Sequence, residues 1–108
     1  MDESQLHIMG LSNGGTAVNV AYNKFSNHFK SITFISTGIH QTYPIKSKVL
    51  MIGGGHDSSA GSLPPAARAF KKQGSPYSIY WDKKETHYIL VNQADEICNY
   101  LNQEFSSK

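Results

Sequence analysis

The chain has 108 residues, enough for one compact domain and too few for two, and its 39% hydrophobic content excludes a disordered protein. A formal net charge of +2, with lysines at 46, 48, 71–72 and 83–84 scattered rather than grouped, argues against a nucleic-acid partner. No apolar run approaches the ~20 residues of a membrane span, and a lone cysteine, Cys98, excludes an intrachain disulfide.

The predicted elements alternate between strands and helices. Leu6-His7-Ile8-Met9 is a short strand that stops at Gly10. From Thr16 to Phe25 the period changes, and Ala17, Val18, Ala21, Tyr22 and Phe25 fall at helical spacing. Ser31–Ser36 and Val49–Ile52 read as strands, the second fully buried, and the polar stretch Gly38–Lys48 between them reads as a loop. Pro64-Pro65 opens a helix that presents Leu63, Ala67 and Phe70 on one face and ends at Gly74. Tyr77–Trp81 is another strand. Asn92 then has the character of an N-cap, with Asp95 in the first turn, for a helix to about Phe105. Its apolar stripe is Ala94, Ile97, Cys98, Leu101 and Phe105, which makes Cys98 a small core residue. This order predicts a single α/β domain with a mainly parallel sheet of about four strands, flanked by helices.

The chemistry concentrates in Gly10-Leu11-Ser12-Asn13-Gly14-Gly15, between the first strand and the first helix, which is where a G-x-S-x-G nucleophile elbow belongs. A sharp strand-to-helix reversal lifts the Ser12 hydroxyl above the sheet in a strained backbone conformation. Side chains at positions 10 and 14 are expected to collide across so tight a turn. The helix N-terminus points N–H groups at the reaction centre, so Asn13 and Gly14 are the expected backbone donors to an oxyanion. A generic glycine turn or a phosphate loop is the alternative, but no P-loop lysine follows.

A serine nucleophile needs a base, and the base needs an acid to orient it. Asp57, after the buried strand Val49–Ile52, and His87, after the strand Tyr77–Trp81, follow Ser12 in the order Ser, acid, His. All three then lie where loops leave the carboxyl ends of parallel strands. The rivals are weaker. Asp82 and Glu85 read as surface charges, His7 as a packed core histidine, and His28 and His40 as exposed. His56 is the best alternative base, although adjacent loop residues usually point apart. A metal site from His56, Asp57 and His87 lacks any recognised ligand spacing, and neither metal nor cofactor is expected.

These motifs resemble the C-terminal half of an α/β-hydrolase. The run Asp2–Gly15 is similar to the elbow region of polyhydroxybutyrate-depolymerase-like and feruloyl-esterase-like enzymes, and Gly54-Gly55-His56-Asp57 resembles that family's acid loop. Pro64 to Gly74, Ser78–Trp81 and His87 resemble the helix, strand and catalytic histidine that follow. The resemblance implies a serine esterase acting on a small-molecule ester through Ser12, His87 and Asp57. It also implies four further strands before the elbow, which this sequence does not contain, and a second oxyanion donor from a loop after the third of them. Losing one such donor costs ~10²–10³ in rate.

Leu6–Met9 is accordingly expected to be an open sheet edge, able to pair with a second copy or a partner chain. The alternative function is a non-catalytic, hydrolase-derived module that assembles through that edge. A nucleotide-binding reading rests only on the glycine-rich turns at Gly10–Gly15 and Gly53–Gly55. The acidic, polar start Met1–Ser4 lacks the basic and apolar regions of a signal peptide, and a cytoplasmic location is expected.

Overall fold

The computed structural model describes residues 7–14, 18–20, 24, 29–39 and 47–106. Four strands, β1 His7–Leu11, β2 Ser31–Ile35, β3 Lys48–Gly54 and β4 Tyr77–Asp82, form one sheet in the order β1-β2-β3-β4. Every neighbouring pair is parallel, so the α/β sheet expected to be mainly parallel is wholly so. The central strands carry uninterrupted runs of apolar and small residues because both of their faces are covered. Ser31–Ile35 are buried throughout, and so is β3 after Lys48.

Alternation along the strands divides the core in two. Ile32, Phe34, Val49 and Met51 pack on one face with Val18, Leu63, Ala67 and Phe70. Ile35 and Ile52 pack on the other with Ile89 and Ile97. The first face is covered by α1, Leu63–Gln73, whose buried residues Leu63, Ala66, Ala67 and Phe70 make one stripe. Prolines sit in its first turn, and Gly74 closes it with φ 74° and an N–H directed to the Phe70 and Lys71 carbonyls.

The second face departs from expectation. Asn92 is not an N-cap. It ends a four-residue helix, α2, Ile89–Asn92, and Gln93 separates it from α3, Ala94–Ser106. Asp95 does lie in the first turn of α3. Ile97 is buried, but Ala94 and Cys98 are exposed, so Cys98 is not a core residue. The side of α3 that meets the sheet carries Ile97, Tyr100, Leu101 and Glu104 instead.

His7 is likewise not a core residue. It is exposed, shares a hydrogen bond with Ser31 Oγ (2.5 Å), and lays its ring against Phe105. β1 is an edge strand, paired with β2 and exposing Met9 and Leu11. Of the helix expected over Thr16–Phe25, Val18–Val20 and Lys24 are described and helical. Leu6, Gly15, Ala17, Ala21, Tyr22, Phe25 and His28 lie outside the described residues, as do residues 40–46 of the Gly38–Lys48 loop, His40 among them. Among the described residues no helix is long and apolar enough to cross a membrane.

A polar chain pins α3 to the sheet. Tyr100 donates to Ser78 Oγ (2.8 Å), Ser78 donates to Glu104 Oε1 (2.8 Å), and Lys48 pairs with the other Glu104 oxygen. Burial pushes the Tyr100 phenol up to about 12. The folded protein holds this proton where an unfolded chain, titrating near ~10, has lost it. The contribution is therefore fully present below the unfolded value and is lost as pH rises through the folded one. Chemical denaturation followed across that alkaline window should show Tyr100→Phe losing less stability with pH than wild type. Parallel curves for the two proteins would contradict the assignment.

Candidate active site

An all-parallel sheet delivers the carboxyl ends of its strands to one edge. Ser12 leaves β1 there, Ser36 leaves β2, Asp57 lies in the loop after β3, and His87 in the loop after β4.

Ser12 begins a 3-10 turn, Ser12–Gly14, and takes a left-handed backbone conformation with φ 55°. Such a conformation costs a residue with a side chain on the order of 1–3 kcal/mol. Gly10 permits the reversal, since a Cβ there would stand 2.3 Å from Val18 Cγ2 and 2.6 Å from the Gly14 carbonyl oxygen. The expected clash at Gly14 is not found. A Cβ on Gly14 would meet nothing within 4 Å among the described residues. The backbone of Gly14, rather than its missing side chain, is what Gly10 must clear. Asn13 and Gly14 complete the turn directly after Ser12.

Asp57 is buried and caps the 3-10 turn Ser58–Ala60, its Oδ1 accepting the Ser59 N–H at 3.0 Å. Its Oδ2 lies 2.8 Å from His87 Nδ1, and His87 Nε2 lies 2.7 Å from Ser12 Oγ. An ionised carboxylate only accepts, so His87 Nδ1 carries the hydrogen of that bond. Nε2 of the neutral ring is then left to accept the Ser12 hydroxyl proton. The His87 side chain is 36% exposed and that of Asp57 only 3%, so the acid is enclosed while the imidazole meets solvent.

The glycine run Gly53–Gly55 has a packing explanation. A Cβ on Gly54 would lie 2.3 Å from the Glu85 carbonyl oxygen, and one on Gly55 would lie 2.4 Å from that of Lys83. Backbone therefore lies directly on backbone. Gly55 N–H donates to Asp82 O (3.0 Å) and His56 N–H to Glu85 O (2.9 Å). These contacts hold the loop bearing His87 against the loop bearing Asp57.

The rival residues are placed elsewhere. His56 is exposed while its neighbour Asp57 is buried. Asp82 Oδ2 and Glu85 Oε2 both accept from Gln93 Nε2, at 3.0 and 2.7 Å, and Tyr80 donates to the Gln93 carbonyl oxygen. The Lys84 N–H and then Gln93 hold Asp82 below the usual carboxylate range, and Asn92 and then Gln93 do the same for Glu85. Their role is to brace the loop between β4 and α2. Among the described residues no three His, Cys, Asp or Glu side chains are grouped to hold a metal.

Sequence reasoning missed Ser36. It is fully buried, takes φ 52°, and donates its hydroxyl to the His87 carbonyl at 3.0 Å. Unlike Ser12, Ser36 lies in no G-x-S-x-G run, so nothing in the sequence marks its left-handed φ. His87 is thus held by residues following each of the other three strands: Ser12, Ser36 and Asp57.

No family model, curated protein or solved structure matches this chain. A hydroxyl hydrogen-bonded to an acceptor nitrogen, on a ring whose other nitrogen is anchored to a buried carboxylate, is an arrangement able to deprotonate that hydroxyl during attack on an electrophile.

Two substitutions at Ser36 separate its two features. Ser36→Ala keeps the strain and leaves the His87 carbonyl short of a donor, which should cost about 1–3 kcal/mol. Ser36→Gly loses the same bond but relieves the backbone, so urea unfolding should find it the more stable of the two. The reverse order would contradict this account of Ser36.

Proposed function

We infer that the chain is a serine hydrolase of α/β-hydrolase type that cleaves carboxylic esters. The observation that carries this reading is the relay from Ser12 Oγ through His87 to Asp57 Oδ2, with contacts of 2.7 and 2.8 Å. Ser12 on a left-handed turn after a parallel strand, and the order Ser, acid, His, support it further.

In this mechanism Ser12 Oγ attacks the ester carbonyl carbon while its proton passes to His87 Nε2. The carbonyl π-electrons move onto oxygen, and this reading assigns the Asn13 and Gly14 N–H groups as donors to the oxyanion. When the oxyanion collapses, the alcohol departs with the proton from Nε2, leaving an acyl ester on Ser12. Water then attacks this ester, His87 takes its proton, and collapse releases the carboxylic acid as the proton returns to Ser12. Asp57 stays ionised throughout. It fixes the ring tautomer and balances the imidazolium charge in each half-reaction. No cofactor enters this chemistry. An exposed free thiol at Cys98 fits a reducing, cytoplasmic setting.

A second reading, a non-catalytic hydrolase-derived module that assembles through its sheet edge, is favoured by the exposed Met9 and Leu11 on β1. The two readings part on one experiment. A fluorophosphonate probe should label the wild-type chain and leave Ser12→Ala unlabelled. Asp57→Asn should retain the fold but lower p-nitrophenyl butyrate turnover by roughly 10⁴. Labelling that survives in Ser12→Ala, or turnover indifferent to Asp57→Asn, would contradict the hydrolase reading.

A further inference from the structure

We propose that the cleft beside Ser12 holds the acyl chain of the substrate, and that this chain is short, apolar and uncharged. The inference rests on the hydrolase reading and names the substrate class for the same site.

Ser12 and His87 open into a cleft of about 230 Å³ whose other described lining residues are Leu11, Tyr88, Leu90 and Val91. All four are apolar or aromatic. Five large hydrophobic side chains are exposed among the described residues, and three of them, Leu11 at 45%, Tyr88 at 67% and Val91 at 76%, line this one cleft. Scattered exposed hydrophobics need no explanation, but a cluster around a hydrogen-bonded serine marks a surface that a ligand covers.

The fold explains how the cluster arises. Leu11, Ile35, Ile52 and Tyr80 align in one row across the four strands. Ile89, fully buried, packs with Ile35 and Ile52 and roots α2 on the middle of that row. Leu11, at the outer end, keeps its exposure. Tyr88, Leu90 and Val91, flanking the rooted Ile89, supply the rest of the lining. The short α2 therefore places an apolar wall next to the nucleophile.

Charge and volume narrow the occupant. The described lining contains no Lys, Arg, Asp or Glu, so it offers a carboxylate on the acyl chain no ion pair, whereas an apolar chain covers its exposed hydrophobic side chains. Buried Asp57, bonded to His87 behind the cleft, adds repulsion to any anion there. At ~30 Å³ for each water-sized group, the cleft accommodates about seven or eight such groups. That suits a butyryl to octanoyl chain, and the further carbons of a longer chain would lie outside the cleft.

The test uses binding and turnover in parallel. In Ser12→Ala, which cannot turn over, amide resonances of Leu11, Tyr88, Leu90 and Val91 should shift on titration with ethyl hexanoate and stay in place with monoethyl succinate. In wild type, kcat/KM for p-nitrophenyl esters should rise by up to about fourfold per methylene from acetate to hexanoate. Val91→Arg should raise the hemisuccinate-to-butyrate ratio of kcat/KM by up to about fivefold. Equal shifts with both ligands or with neither, a flat chain-length series, or an unmoved ratio in Val91→Arg would overturn the assignment in a chain that reacts at Ser12. Concentration-dependent shifts of the same amides without ligand would put a second copy in the cleft and overturn it too. Failure of fluorophosphonate to react at Ser12 is a separate result, and overturns the hydrolase reading beneath it.

Discussion

Backbone lies on backbone where β3 ends, and the candidate site depends on that contact. Gly54 and Gly55 leave no room for a side chain between themselves and the carbonyls of Glu85 and Lys83. The loop after β4 is drawn onto the loop after β3 by two backbone hydrogen bonds, from Gly55 to Asp82 and from His56 to Glu85. Only at that separation does the His87 ring reach Asp57. The Gln93 side chain, bonded to Asp82, Glu85 and Tyr80, braces the same loop from the far side. Any substituent that pushed these loops apart would lengthen the 2.8 Å contact on which the imidazole's orientation rests.

Strain is concentrated at the same edge. The two described residues with side chains and a left-handed φ are Ser12 and Ser36, at the ends of adjacent strands, and both bond to His87. Ser12 meets its ring and Ser36 its backbone carbonyl. A fold that holds two such conformations, each costing on the order of 1–3 kcal/mol, must over-determine them by packing. The buried strands β2 and β3 and the crossing of Gly10 beneath Gly14 supply that packing. The geometry around His87 is thus set from the ends of β1 and β2 as well as by the contact between the two loops.

Much of this architecture was legible in the residues. The uninterrupted apolar run Val49–Ile52 announced a strand covered on both faces, Ser31–Ser36 announced a second strand, and Pro64-Pro65 to Gly74 announced a helix. Ser12, Asp57 and His87 could be picked out because a parallel sheet sends successive loops to one edge, so chain order carries spatial information. What escaped depended on tertiary placement. Ile89 roots a short extra helix on the second face, and α3 meets the sheet with Tyr100 and Glu104 where an apolar stripe had suggested Cys98 and Ala94. An inward carboxylate paired with Lys48 is invisible to a count of apolar positions. His7 reads as interior because it lies within a strand, yet it shares with Met9 and Leu11 the exposed face of β1. The glycines at 54 and 55 look like a turn signal, and their function as a contact surface appears only once the partner loop is in place.

The central claim is that the His87 imidazole is held as a base, its Nδ1 hydrogen committed to Asp57 and its Nε2 free to accept the Ser12 proton. Nitrogen-15 NMR of the neutral His87 ring reports the tautomer directly. The account predicts a protonated Nδ1 and an unprotonated Nε2, with the Nδ1 proton shifted far downfield and lost in Asp57→Ala. A ring protonated at Nε2, as free imidazole side chains prefer in water, and unaffected by Asp57→Ala, would contradict it.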